Sequence, residues 1–163
     1  MAATLAGMDL DYTHQYAAPP SAVVALMRNE EFIADVARHA GALEHNVAID
    51  DDATRLRMKL PVPGSLSKFV GQSVTITQVF RFQPPAADGS VRGTVDVEVP
   101  GMPINVDAAA LLRAHDGWTQ GRYTGSLTVK IPLVGKKVEG LTEPFIRDAF
   151  EGLERRAADW LAR

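Results

Sequence analysis

A chain of 163 residues, 46% hydrophobic and 23% charged, has the balance of one globular domain. At that length it can bury roughly two-thirds of the surface its unfolded form exposes. The net charge of −3 comes without any concentrated run of Lys and Arg, which argues against a nucleic-acid partner. With no cysteine, disulfides, thiolate metal ligands and cysteine nucleophiles are excluded.

Residues 1–8 are read as a flexible start that carries no basic residue, so a cytoplasmic protein is expected. No uncharged apolar run approaches the ~20 residues of a membrane span. Leu10, Tyr12, His14 and Tyr16 then alternate with polar neighbours, the period of a strand with one buried face. Pro19, Pro20 and Ser21 open a short helix over 21–27. Asn29 caps a second helix carrying Phe32, Ile33, Val36 and Ala37, which Gly41 ends.

From Leu43 onward the period returns to two and persists. A strand over 43–49, a turn at Asp50, Asp51 and Asp52, and a partner strand bearing Leu56, Met58 and Leu60 make a hairpin. Val74, Ile76, Phe80 and Phe82 mark the next strand, and Val91, Val95, Val97 and Val99 the one after it. Pro100, Gly101 and Pro103 break the chain before a strand over 104–115, although 108–112 in isolation also suits a helix. Asp116 and Gly117 signal a hairpin turn, after which Tyr123, Leu127, Val129 and Ile131 face inward. Beyond Gly135, Val138, Leu141, Phe145, Ala149, Leu153, Ala157 and Trp160 recur as one face of a long helix. Pro144 places its regular start near Thr142 after a looser turn.

Strand, two short helices, about six strands and a long amphipathic helix make an α+β fold with helices gathered on an antiparallel sheet of about seven strands. In this order, in the proline-started helix after the first strand, and in Ile131, Pro132, Leu133, Val134 and Gly135 before the last helix, the chain resembles the START-like (SRPBCC) helix-grip superfamily. The resemblance covers residues 9–163, within one domain of residues 1–163. It is nearest to a bacterial branch of unknown function in which a sequence like Asp11-Tyr12-Thr13-His14 opens the domain. Polyketide cyclases, lipid-transfer domains and plant ligand-binding proteins belong to that superfamily. The resemblance therefore implies a curved sheet wrapped on the last helix, with a pocket between them.

The residues add their own pattern. Inward registers bring Tyr12, His14, Tyr16, His45, Gln78 and Tyr123 to the concave side, with Phe80, Phe82, Phe145, Ala149 and Leu153 as apolar wall. Mostly apolar walls with a few polar groups describe a small-molecule site. The plainer reading of any single inward His or Tyr is a hydrogen bond to a neighbouring group. Gly93, Gly121 and Gly125 share the inward register, where missing side chains either open cavity volume or let the sheet bend, and bending is the preferred reading. The Pro/Gly-rich segment 61–70 is either a lid carrying Leu66, Phe69 and Val70 or a fixed short helix closing one end of the core.

For chemistry, His14 and His45 are the candidate acid/base groups, while His39 at a helix end and His115 by a turn read as structural. Asp50, Asp51 and Asp52 read as solvated turn residues. Phosphate-loop, nucleophile-elbow and metalloprotease motifs are missing, and neither a metal nor a cofactor is expected. The leading expectation is binding or carriage of a small hydrophobic or amphipathic molecule by a monomer or homodimer without stable membrane insertion. A cyclase or dehydratase using a cavity histidine, and an interaction module with a filled core, are the alternatives.

Overall fold

Alternation at the start of the chain produces β1 (Met8–Tyr16), in which Leu10, His14 and Tyr16 are buried and Asp9, Asp11 and Thr13 are not. The computed structural model describes residues 7–163; most of the expected flexible start lies outside them, but Met8 already belongs to β1. Pro20 occupies the first turn of α1 (Pro20–Met27), where a missing N–H costs nothing. Asn29 caps α2 (Glu30–His39), its Oδ1 accepting from the backbone N–H of Glu31 and Phe32 at 2.9 and 3.1 Å.

The middle of the chain forms β2 (Glu44–Ile49), β3 (Thr54–Pro61), α3 (Gly64–Val70), β4 (Ser73–Phe82), β5 (Val91–Glu98), β6 (Ile104–His115) and β7 (Trp118–Val129). The strands make one seven-stranded antiparallel sheet in the order β1-β7-β6-β5-β4-β3-β2, so the first strand closes onto the last. Residues 108–112, ambiguous on their own, are strand because β5 and β7 claim both edges of β6. Ile131 lies beyond β7, half-buried in the following loop rather than on the strand.

The last helix, α4 (Gly135–Leu161), packs on β1 and β7 and also meets α2 and α3, giving the helix-grip arrangement of a curved sheet on a long helix. It starts earlier than Thr142 and runs through Pro144. Pro144 cannot donate to the Gly140 carbonyl, but both residues are exposed, so that carbonyl is not left buried without a partner. The buried stripe is Val138, Glu139, Thr142, Phe150, Leu153 and Ala157. The helix is rotated slightly from the expected face, which turns Ala149 to solvent and brings Phe150 down onto the sheet.

Gly121 shows how closely the layers approach. A Cβ there would lie 2.8 Å from Cε2 of Tyr16, so the missing side chain is replaced by the Tyr16 ring and opens no void. At the far end of α4, the Trp160 indole N–H and the Arg156 guanidinium donate to Asp35 Oδ2 at 2.9 and 2.8 Å, tying α4 to α2. Asp35→Ala would leave both donors without this acceptor, and a loss of about 1–3 kcal/mol in denaturant unfolding is expected. An unchanged unfolding midpoint would show that solvent replaces the carboxylate.

Candidate ligand-binding site

Two adjoining regions occupy the space between sheet and α4. The first is an aromatic and imidazole cluster on β1 and β7. Tyr12 and Tyr123 are register partners, and alternation puts Tyr12, His14 and Tyr16 on the same face. The Tyr16 and Tyr123 hydroxyls lie 2.7 Å apart, and the Tyr16 hydroxyl also meets His14 Nδ1 at 2.8 Å. The Phe150 ring seals the cluster from α4, with centroids 4.9 Å from Tyr12, 5.3 Å from Tyr123 and 6.1 Å from His14. The Tyr12 hydroxyl turns outward and donates to Glu143 Oε2 at 2.7 Å, and Glu143 is in turn paired with Arg147.

Burial governs the electrostatics here. It lowers the His14 pKa to about 4, against the opposing pull of the Glu154 carboxylate, so the imidazole is neutral at neutral pH. Burial likewise pushes Tyr123 up to about 12 and Tyr16 well above the ordinary phenol range. His14 is 2% exposed, and its Nε2 has no hydrogen-bond partner among the described residues. A buried polar atom without a partner costs about 1–3 kcal/mol, and in this cluster Nε2 is the atom left in that position among the described residues.

The second region is a cavity of about 60 Å³ between the sheet and the N-terminal half of α4. The sheet contributes Val74, Ile76, Val97, Ile104 and Val106; α4 contributes Thr142, Phe145 and Ile146; Leu66 and Val70 of α3 border it. Its polar residues are engaged elsewhere: Thr142 Oγ1 donates to the Val138 carbonyl and Asn105 Nδ2 to Asp107. The lining is therefore apolar. Cavities of ~150 Å³ hold benzene and drug-sized sites run to ~300 Å³ or more, so this one is small for a lipid chain as it stands.

The expected site residues divide between these regions. Phe145, Leu66 and Val70 line the cavity, while Tyr12, His14, Tyr16 and Tyr123 form the cluster. Leu153 is buried on α4; Phe80 is buried on β4 between Thr54 and Val95; Phe82 is half-buried opposite Gly93. Gln78 is half-buried opposite Leu56 and Val97. His45 has the concave register, opposite Met58, but it is exposed because β2 is the edge strand farthest from β1. The two candidate catalytic histidines are thus not brought together. Ala149 is exposed and cannot serve as wall.

Segment 64–70 is a helix; its Leu66 is buried and its Phe69 half-buried with the Lys68 ammonium over the ring. His39 Nδ1 lies 3.1 Å from Asp35, His115 stacks on Trp118 at 4.5 Å, and Asp50 Oδ1 accepts from Asp52 and Ala53 N–H in its turn. Sequence reasoning missed Phe150, Ile146 and Glu143 as site residues. Phe150 and Ile146 lay in plain helical spacing with Leu153 and Ala157, a signal that the choice of Ala149 overrode.

Residues 11–161 match the family model described as "Protein of unknown function (DUF2505)". The chain belongs to that family. The DUF2505 match starts within β1 and ends at the last residue of α4, so it spans both regions of the site. No protein with a curated description matches the sequence.

Solved structures show the same fold at low identity. The Zhui aromatase/cyclase from Streptomyces sp. R1128 is 14% identical with a TM-score of 0.61, covering 96% of this chain and 94% of its own. The STAR-related lipid transfer protein (a fragment) from Xanthomonas axonopodis is 12% identical with a TM-score of 0.62, covering 95% and 86%. A START superfamily protein from Mycobacterium smegmatis is 15% identical with a TM-score of 0.54, covering 94% and 99%. These likenesses establish a START-like helix-grip fold for this DUF2505 chain; at such identities they do not carry an activity across.

Proposed function

We propose that this chain reversibly binds or carries a small hydrophobic or amphipathic molecule between the sheet and α4. The observation that carries this reading is the apolar cavity between Ile76, Val97, Val106 and Ile146, bordered by α3. Its present volume of about 60 Å³ means that a ligand gains room by displacing α3. That helix has only seven residues and is joined to β4 through Gly71 at φ 90°, so few contacts have to be broken. Tyr12, His14, Tyr16, Gln78 and Tyr123 are the polar contacts for a ligand long enough to extend along α4 toward β1 and displace the Phe150 ring, leaving the unpartnered His14 Nε2 to bond a ligand hydroxyl or carbonyl.

The small volume also favours a second reading, an interaction module whose core is filled. A cyclase or dehydratase has less support, because His14 does not line the cavity and His45 is exposed. Titration with the neutral apolar dye N-phenylnaphthylamine separates the first two. Saturable uptake is expected, weakened at least about tenfold, or about 1.4 kcal/mol, in Ile146→Trp, whose larger side chain occupies the cavity. Absence of uptake, or equal uptake by both proteins, would favour the filled core.

A further inference from the structure

Between β7 and α4 the chain makes a tip whose apex contributes nothing to packing. Leu133 sits there at φ 70°, the left-handed region that disfavours any residue with a Cβ. Its side chain is fully exposed, at 105% relative accessibility. Every other described residue with positive φ is a glycine: Gly41, Gly71, Gly89, Gly101 and Gly117. Glycine would fit this turn with less strain and show no apolar surface to water, so the leucine needs an explanation outside the fold.

Charge indicates what the apex meets. Lys130, Lys136 and Lys137 flank Leu133, and no acidic residue lies within 130–137 of a chain whose net charge is −3. All three lysines are exposed. The next acid, Glu139, is buried and accepts from the Val129 N–H at 3.1 Å, so it does not neutralise them at the surface. Ile131 and Val134 root the tip in the core. The Lys130 N–H donates to the Pro103 carbonyl at 2.9 Å, fixing the tip beside the loop between Val99 and Ile104, both of which line the cavity. The antiparallel order puts α3 at this same end of the sheet.

We propose that residues 130–137 dock the protein on an anionic bilayer, Leu133 entering the acyl region and the three lysines facing lipid phosphates and carboxylates. An inserted apolar side chain, supplemented by about fivefold in affinity, or about 1 kcal/mol, for each lysine near an anionic surface, gives weak and reversible peripheral binding. It would present α3 and the cavity mouth to the lipid surface. The docking stands on the tip alone; a role in ligand exchange rests on the function proposed above.

The test is flotation of the full chain with phosphatidylcholine vesicles, with and without roughly 30% phosphatidylserine. Wild type should bind the anionic vesicles, and less so as salt is raised. Leu133→Gly should bind at least about tenfold more weakly with an unchanged or higher Tm, since glycine suits the turn. The combined Lys130→Gln, Lys136→Gln, Lys137→Gln variant should lose the preference for anionic vesicles. Failure of wild type to float with anionic vesicles, binding indifferent to both variants, or self-association through Leu133 in vesicle-free solution would overturn the proposal. Dye uptake in solution, measured on the same samples, separates the two readings: its loss in wild type counts against the cavity and leaves docking to be judged by flotation alone.

Discussion

Replacing Phe150 by alanine is expected to destabilise the fold by about 3–5 kcal/mol, read from urea unfolding with an unchanged m-value. Phe150 is 7% exposed and is the side chain through which α4 contacts the rings of Tyr12, His14 and Tyr123 at once. Truncation removes apolar area and leaves a hole that cannot readily collapse, because the Tyr16–Tyr123–His14 hydrogen bonds hold the floor of the cluster in place. A loss below about 1 kcal/mol would mean that the cluster is not sealed by α4 in the way described.

Stability should also fall in mildly acidic solution. His14 titrates at an ordinary 6.5 when unfolded and at about 4 when folded, because burial disfavours the imidazolium. Between those values the unfolded chain holds more protons, so the contribution is fully present above about pH 6.5 and is lost as pH falls toward 4. The size is of order 3 kcal/mol. Tyr16, Tyr123 and Phe150 surround the ring, and the Glu154 carboxylate acts the other way. Unfolding free energy followed across this range should slope in wild type and slope less in His14→Phe. Equal slopes would place the titration elsewhere.

Strand faces were legible because a sheet with one buried face imposes alternation, as Leu10, Tyr12, His14 and Tyr16 show. Alternation specifies a face but not the distance from an edge, which is why His45 has the concave register beside Met58 and is still exposed to solvent. The mass of α4 is equally clear from the sequence, but its start is not, since Pro144 suits a first turn or a kink and so points to a regular start near Thr142. Exposure of Gly140 and Pro144 is what makes the earlier helical turn tolerable, and exposure is a tertiary property. Rotation about the helix axis decided between Ala149 and Phe150. The cavity was the least legible feature, because it is the space left over among Val97, Val106, Ile146 and α3. No local pattern encodes a remainder. The inward polar residues were identified individually, whereas their mutual bonding depended on β1 lying beside β7.

The most direct test of ligand carriage is native mass spectrometry of the chain purified from the cells that make it, with organic extraction of whatever accompanies it, for wild type and Ile146→Trp. The expected result is an apolar or amphipathic compound bound one to one in wild type and depleted in the variant. Wild type that is repeatedly empty, or a compound retained equally by Ile146→Trp, would contradict binding between α3, the sheet and α4.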